Sequence, residues 1–512
     1  MTNQTMKPEG LGTKLLKGSA WMLAMRWSMR FIGLFSMSIV ARLLAPDDFG
    51  VFAVASTLIG VLDALTDIGA DTSIICHTNP QRQHYDTVWT LKILISGGVA
   101  LLVALCAPLS VRIYSDIRYE AVLYVMALCI FVSSLTNIGI ADFRRDLHFQ
   151  KDFLYALLMQ VIGVASTISL AFLLRSYWAL VLGGLVRTVA GVGLSFIMHP
   201  YRPRLSLAAH REMFGFSFWV MVRSLAIFLS GRGDRLVVGA FYNPTIIGWY
   251  AIAGDLAQMA VFELLLPIGR ALLPGLAAKQ EDKEWERRNL RKIFNGTATI
   301  GVAMGWGLAA LAEPAVTLVY GENFTASAPL LVILAFATSV NGFSQPVGQY
   351  LVVHGKTKEL AFLFLLAGGA GVGVAYALAA HGADIQIITY GRFAVSSLAL
   401  MRVFYLVRTL QSIHWYDMVT AWSRPLIAGA TMYAVLWKFQ EALSFHQIAR
   451  LAMDLEMPLH GLQQALNVHY IVILLTGVPL GALVYCSTLM GMWYLTRRPP
   501  GIEEEIMQRV LK

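Results

Sequence analysis

Long apolar runs broken by brief polar links set the pattern of this chain. Fourteen runs of roughly spanning length lie near residues 18–43, 49–75, 90–110, 121–140, 154–174, 177–198, 214–240, 246–275, 293–312, 328–353, 359–380, 384–407, 418–438 and 468–494. About 20 apolar residues cross a bilayer as a helix. The pattern predicts an all-α polytopic membrane protein with about 14 transmembrane helices. Links such as Phe241-Tyr242-Asn243-Pro244 and His381-Gly382-Ala383-Asp384 leave room only for a reversal. Consecutive helices are therefore expected to pack as antiparallel hairpins. Two longer links differ. Residues 279–288 read as a charged surface helix with opposite charges at i,i+4, such as Glu284 and Arg288. Residues 441–467 carry apolar side chains at helical spacing, which suits a segment lying on the outer membrane surface.

Polar positions inside the runs carry the chemistry. The first run holds Arg26 and Arg30, and the second holds Asp63, Asp67 and Asp71. A spacing of four keeps each set on one helix face. A charge inside a span costs roughly 2.5–3.5 kcal/mol on insertion scales and normally faces a bundle interior or a water-filled cavity. If the two helices are antiparallel neighbours, Arg26 and Asp67 lie roughly 12 Å deep, and Arg30 and Asp63 roughly 18 Å deep. They read either as a ladder of ion pairs or as the wall of a cavity for an anionic substrate or a coupling cation. The seventh run holds Arg223 and then Arg232-Gly233-Asp234-Arg235. The eighth holds Asp255, Glu263 and Arg270, and the same arithmetic puts Asp255 level with Arg232 and Arg235. Glu263 has no basic residue at its level, which suits a neutral hydrogen-bonding group or a proton or cation site. Arg187, Arg392, Arg402 and Arg424 also fall in or near apolar runs, and some of these are expected to snorkel to the surface.

The pattern recurs. A shift of 198 positions lays Ser19 and Trp21 on Ser217 and Trp219. It also lays Pro46, Gly50 and Ala53 on Pro244, Gly248 and Ala251. Pro108 and Tyr114 are echoed by Pro314 and Tyr320. Ordered matches at element boundaries indicate a duplicated unit, a design used by transporters with a midplane site. The expected organisation is an N-lobe over 1–200, a C-lobe over 201–412, and two additional spans with a tail over 413–512.

Composition and charge sharpen this. Of 512 residues 57% are hydrophobic and 14% charged, with a mean hydropathy of +0.62. A soluble chain carries about a quarter charged residues. The net charge of +9 comes from the links. With the N-terminus inside, the cytoplasmic segments hold about 23 Lys and Arg and the external ones five: Arg112, Arg118, Arg175, Lys438 and Arg450. That is the positive-inside asymmetry, and it predicts that both termini are cytoplasmic. It accounts for the basic balance without a nucleic-acid partner. Residues 1–17 are short and basic and lead into a run too long for a signal-peptide core, so the first run is expected to stay as a span. Cys76, Cys106, Cys129 and Cys486 have no paired spacing, so neither a disulfide framework nor a metal site is expected. His446, Asp454, Glu456 and His460 fall on different faces of a segment interrupted by Pro458, and read as a solvated polar face. No cofactor is called for.

Short motifs carry a resemblance. Leu43-Leu44-Ala45-Pro46-Asp47-Asp48-Phe49-Gly50 follows the first span, and Asp67-Ile68-Gly69 ends the second. Ala141-Asp142-Phe143-Arg144-Arg145-Asp146-Leu147-His148-Phe149 follows the fourth, and Asp234-Arg235-Leu236-Val237-Val238-Gly239 precedes Gly248-Trp249-Tyr250. Together these resemble the polysaccharide exporters, the Wzx-type lipid-linked oligosaccharide flippases. Their superfamily also holds multidrug-and-toxin exporters and lipid II flippases. The resemblance covers most of the chain and is strongest over residues 15–280.

It implies two six-helix lobes around a central cavity plus two C-terminal helices, in a bacterial inner membrane. It further implies export of an undecaprenyl-diphosphate-linked glycan by alternating access, with a glycan polymerase and export machinery as candidate partners. Asp234 is the residue that matches a motif position. Arg26, Arg30, Arg223, Arg232, Asp234 and Arg235 are then the candidate substrate contacts, since Arg donates in a planar fork to a diphosphate. Asp63, Asp67, Asp71, Asp255 and Glu263 are the candidates for ion coupling or pairing. The alternatives are a multidrug exporter, whose cationic drugs would favour an acidic aromatic cavity, another lipid exporter, and a membrane glycan polymerase or glycosyltransferase. The last would need a large loop with convergent acidic or His residues. No catalytic residue is assigned, and the chain is expected not to be an enzyme.

Overall fold

The computed structural model describes residues 11–66, 74, 80–146, 148–209, 221–222, 224–278, 283–342, 344–354, 356–411, 415–443 and 459–496. Among them every regular element is helical. The chain separates into two compact units: Met1–Phe228 with Asn243–Thr245, and Leu229–Tyr242 with Ile246–Lys512. Nine of the described helices are long and apolar enough to cross a membrane, or up to eleven if each of two bent pairs is one span. The chain is a multi-pass membrane protein.

The first unit contains α1 (Leu11–Leu43), α2 (Pro46–Thr66), α3 (Arg82–Tyr114), α4 (Arg118–Ser134), α5 (Ala141–Arg145), α6 (Phe149–Leu174) and α7 (Trp178–Met198). α3 packs on α4 and α6 on α7, as the hairpin rule expects. α1 departs from it: its long contact is with α6, while α2 packs on α3 and α4. Leu58, Ile59 and Leu62 of α2 join a core built from Ala100, Val103, Ala107, Leu123, Ala127 and Ile130. Leu94, Leu101, Leu105 and Leu109 of α3 are exposed, as a lipid-facing stripe requires.

Two bends break otherwise straight spans. α4 stops at Ser134 and the chain turns by 64° into a short 3-10 turn and α5. Asn137 drives this turn: its Oδ1 accepts the Gly139 N–H at 3.0 Å, and its Nδ2 donates to the Tyr201 carbonyl at 2.7 Å. A Cβ on Gly139 would lie 2.1 Å from His199 Nδ1, so a larger residue cannot replace it without displacing that ring. Sequence pattern placed a straight span at 121–140; the polar Asn137 instead begins a new element, because its side chain competes with the helix for backbone groups.

In the second unit the main elements are α8 (Asp234–Phe241), α9 (Pro244–Ala278), α10 (Lys283–Ala310), α11 (Ala312–Tyr320), α12 (Ala328–Gly342), α13 (Ser344–Val353), α14 (Thr357–Ala380), α15 (Ile385–Gln411), α16 (Trp415–Ala442) and α17 (Leu459–Leu495). α10 and α11 meet at 75°. Gln440 of α16 reaches this break and donates to the Ala310 carbonyl, freed by the interrupted ladder. α10 starts at Lys283, so the charged stretch expected as a separate surface helix is instead the leading turns of a long helix. α16 and α17 pack on each other and α16 packs along α10, around Val302, Ala428, Met432, Leu436 and Ile473.

Candidate functional site

Where α1 hands over to α2, the acidic pair after Pro46 is structural. Pro46 opens α2 as its first residue, where the missing N–H costs nothing. Asp48 Oδ2 accepts the Ala45 N–H at 3.2 Å, a back-bond that caps the helix. Asp48 Oδ1 accepts the Tyr177 N–H at 2.8 Å, just before α7. Asp47 takes Arg118 Nη1, and Arg118 also grips Asp116 through Nη2 at 2.6 Å. Burial alone would raise the Asp116 carboxyl, but the bonds from Arg118 outweigh it and hold it below the ordinary carboxylate range. These two aspartates thus tie α2 to the starts of α4 and α7. Gly50 lies against the Pro244 carbonyl, which a Cβ would approach to 1.7 Å.

The charges within the first unit's spans are more open. Arg26 is half-buried and Arg30 exposed, and both make interactions. Asp63 is exposed, and Lys92 of α3 lies close enough to act on it. Because α1 lies along α6, the neighbour relation that put Arg30 opposite Asp63 is not the main packing of α1. Asp67, Asp71 and Arg223 lie outside the described residues, as do His446, Asp454, Glu456 and the His460 side chain. Among the described residues there is no group of three or more metal-binding side chains.

The second unit gathers charge around one break. A helix over 224–232 is interrupted at Gly233 and resumes as α8. A Cβ at Gly233 would meet the Leu229 carbonyl at 2.7 Å and Val372 at 2.8 Å. Asp234 comes next and turns inward. It accepts from Arg392 Nη1 of α15 and from the Tyr250 hydroxyl of α9, while Arg392 Nη2 donates to the Gly231 carbonyl at 2.9 Å. The Asp234 and Arg392 side chains are 8% and 14% exposed. A buried pair of this kind offsets its desolvation only with further hydrogen bonds, which Tyr250 and Gly231 supply.

One turn away the geometry is different. Asp255 Oδ1 accepts Arg235 Nη2 at 2.7 Å and Arg232 Nη2 at 3.3 Å. Arg235 is 3% exposed and also donates to the Ala251 carbonyl at 3.2 Å. Gly254 leaves room for it, since a Cβ there would sit 3.1 Å from Arg235 Nη2. Asp255 and Arg232 are 38% and 45% exposed. The structure thus brings Arg232, Arg235 and Asp255 together as the depth arithmetic expected, and sends Asp234 to a different partner. Arg232, Arg235 and Arg392 thus gather around Asp234 and Asp255. Glu263, two turns further along α9, is buried and makes interactions. A recess beside Arg392 is walled by Ser230, Asn341 and Ser396, with Asn341 Nδ2 donating to Ser396 Oγ at 3.1 Å.

Sequence reasoning missed the role of Arg392. It stood out as an arginine in an apolar run, but nothing local marks a partner 158 residues away.

With this geometry in view, comparison with known proteins places the chain. Residues 39–329, more than half its length, match the family model described as polysaccharide biosynthesis protein. The chain belongs to that family. It is 22% identical over 414 residues to the succinoglycan biosynthesis transport protein ExoT of Rhizobium meliloti (strain 1021), covering 80% of this chain and 83% of that one. It is 24% identical over 358 residues to the lipopolysaccharide biosynthesis protein WzxC of Escherichia coli (strain K12), covering 69% and 73%. In fold it is similar to the lipid II flippase MurJ in an inward closed conformation. That match has a TM-score of 0.71 at 12% identity and covers 93% of this chain and 100% of that one. An inward-facing multidrug MATE transporter matches at a TM-score of 0.59 and 14% identity, covering 76% and 98%. This exporter therefore sits among transport proteins of polysaccharide biosynthesis and is not an enzyme.

Proposed function

We propose that the chain is a flippase that carries an undecaprenyl-diphosphate-linked oligosaccharide or polysaccharide precursor across a bacterial inner membrane by alternating access. In this reading it has fourteen crossings, both termini are cytoplasmic, and two six-helix lobes are followed by two additional helices. The polyprenyl tail stays in lipid while the diphosphate and sugars pass through a polar interior. The observation that carries the reading is that Arg232 and Arg235 converge on the carboxylate of Asp255, with the Arg232 side chain 45% exposed. A charge inside a span normally faces a polar interior or water. Arg232, half-exposed and bonded at the longer distance, is the guanidinium that a diphosphate can draw from Asp255, which keeps Arg235. Guanidinium donors suit a diphosphate better than a cationic drug, which favours a flippase over a multidrug exporter.

The test is genetic and chemical. Deleting the gene is expected to leave a lipid-linked, diphosphate-bearing glycan on the cytoplasmic leaflet, and restoring the gene clears it. Absence of any such intermediate in a strain still making the glycan's precursors sinks the substrate assignment.

A further inference from the structure

The segment that follows α7 is fastened by its backbone to the start of α3. Tyr201 Oη donates to Asp86 Oδ1 at 2.7 Å, and the Arg204 N–H donates to the same oxygen at 2.8 Å. The Ser206 N–H donates to Thr90 Oγ1 at 2.9 Å and the Ala209 N–H to Thr87 Oγ1 at 3.2 Å. One edge of this extended strap is thus committed to α3, while Arg204 and Leu205 are exposed. Leu205 is 74% exposed and Leu207 is 44% exposed. The Arg204 guanidinium is exposed and meets no protein group among the described residues.

The level of the strap follows from the length of α3. Its 33 residues extend about 50 Å, against about 30 Å for the hydrocarbon core. If the excess is shared, the first two turns stand about 10 Å outside the hydrocarbon. The strap follows Asp86, Thr87 and Thr90 through that stretch and so lies where headgroups meet acyl chains. The surroundings are basic. Arg82 lies over the Tyr201 ring, Lys151 over Phe143 and Arg202 over Phe196, with Arg202 Nη1 bonded to the His199 and Tyr201 carbonyls at 2.9 Å. An exposed leucine beside an exposed arginine at this depth fits a lipid with an anionic head.

We propose that the strap over 201–207 is a docking site for anionic phospholipid headgroups, with Arg204 taking the phosphate and Leu205 entering the acyl boundary. This rests on the fold and not on the identity of the transported substrate. The test is native mass spectrometry of the full chain released from micelles containing equal phosphatidylglycerol and phosphatidylcholine. Wild type is expected to retain phosphatidylglycerol in preference. Arg204→Gln should lower that adduct about fivefold, since one basic residue near the surface contributes about that factor. Leu205→Ser should lower both adducts, and Arg175→Gln, at the far end of α6, should lower neither. Arg204 has no protein partner to lose, so its variant keeps the fold. Undiminished phosphatidylglycerol in Arg204→Gln, or equal loss in Arg175→Gln, overturns the proposal. Displacement of the lipid by inorganic phosphate at equal concentration also overturns it, in favour of a free-anion site.

Discussion

Two aspartate–arginine contacts lie one helical turn apart in the second unit and have opposite characters. Asp234 and Arg392 are largely enclosed, and Tyr250 and the Gly231 carbonyl add hydrogen bonds to their ion pair. Asp255 and Arg232 are open to their surroundings, and their bond is the longer of the two that Asp255 Oδ1 accepts. The difference teaches how one chain uses the same chemistry for structure and for recognition. Burial with full hydrogen bonding makes a charge part of the frame, because separating the pair leaves an unsolvated ion. Partial exposure keeps a charge exchangeable, because water or a ligand can replace its partner at little cost. Arg235 sits between the two cases: it is buried, but its acceptor Asp255 is not.

The comparison can be broken most severely at the buried pair. Arg392→Gln or Asp234→Asn alone should reduce stability by about 3–5 kcal/mol, the usual cost of orphaning a buried charge. In practice this appears as lost membrane abundance and an earlier melting transition by fluorescence-detected size exclusion. The double variant should recover much of that loss, because neither charge is stranded. A double variant as unstable as the worse single would show that the two do not act as a pair. Arg235→Lys should cost less, about 1–3 kcal/mol, since the charge remains but the fork to Asp255 and the Ala251 carbonyl is lost. A melting transition equal to wild type would remove Arg235 from the frame.

Smaller effects test the ends of the first unit. Asp48→Ala should cost about 1 kcal/mol through the lost cap on Ala45 and the lost bond to the Tyr177 N–H. Limited proteolysis of the links after α1, α3 and α6 should rise modestly, and no change would make the motif dispensable for order. His199 offers a pH test. Burial pushes its imidazole down first, Lys151 and Arg202 push it further, and Asp142 and Asp146 act the other way. A lowered value in the folded state means that the unfolded chain takes up the proton first. Stability at this end is therefore complete above the ordinary histidine range and falls as pH drops through the folded value. Hydrogen exchange over 199–209 should be faster at pH 5 than at pH 7, beyond the intrinsic pH effect, and His199→Gln should remove that excess. Equal protection in wild type at both values would contradict the assignment.

These contrasts also show what was legible beforehand. The multi-pass helical class was readable because apolar length is a local property, and the level of Asp255 was readable because helix rise is fixed. The family was readable from turns such as Pro46-Asp47-Asp48 and the stretch from Asp234, whose side chains cap and clasp. The pairing of Asp234 with Arg392 was hidden because it depends on which spans meet, and hairpin reasoning reaches only adjacent ones. The same limit misplaced α1, which skips its neighbour for α6. The bend at Asn137 was hidden for another reason: a single side chain redirects an otherwise apolar run, and hydropathy does not register it.

The central claim is that the open arginine meets the substrate's anion while the enclosed one holds the frame. The direct measurement is export per unit of membrane-inserted protein for Arg232→Gln and Arg232→Lys in the deletion strain, read as clearance of the lipid-linked intermediate. Both variants are expected at near wild-type abundance. Arg232→Gln should clear the intermediate at least about tenfold more slowly, the scale of one lost hydrogen bond to a charged group, with Arg232→Lys falling between. Wild-type clearance by Arg232→Gln, or a loss of export matched by an equal loss of protein, would contradict the claim.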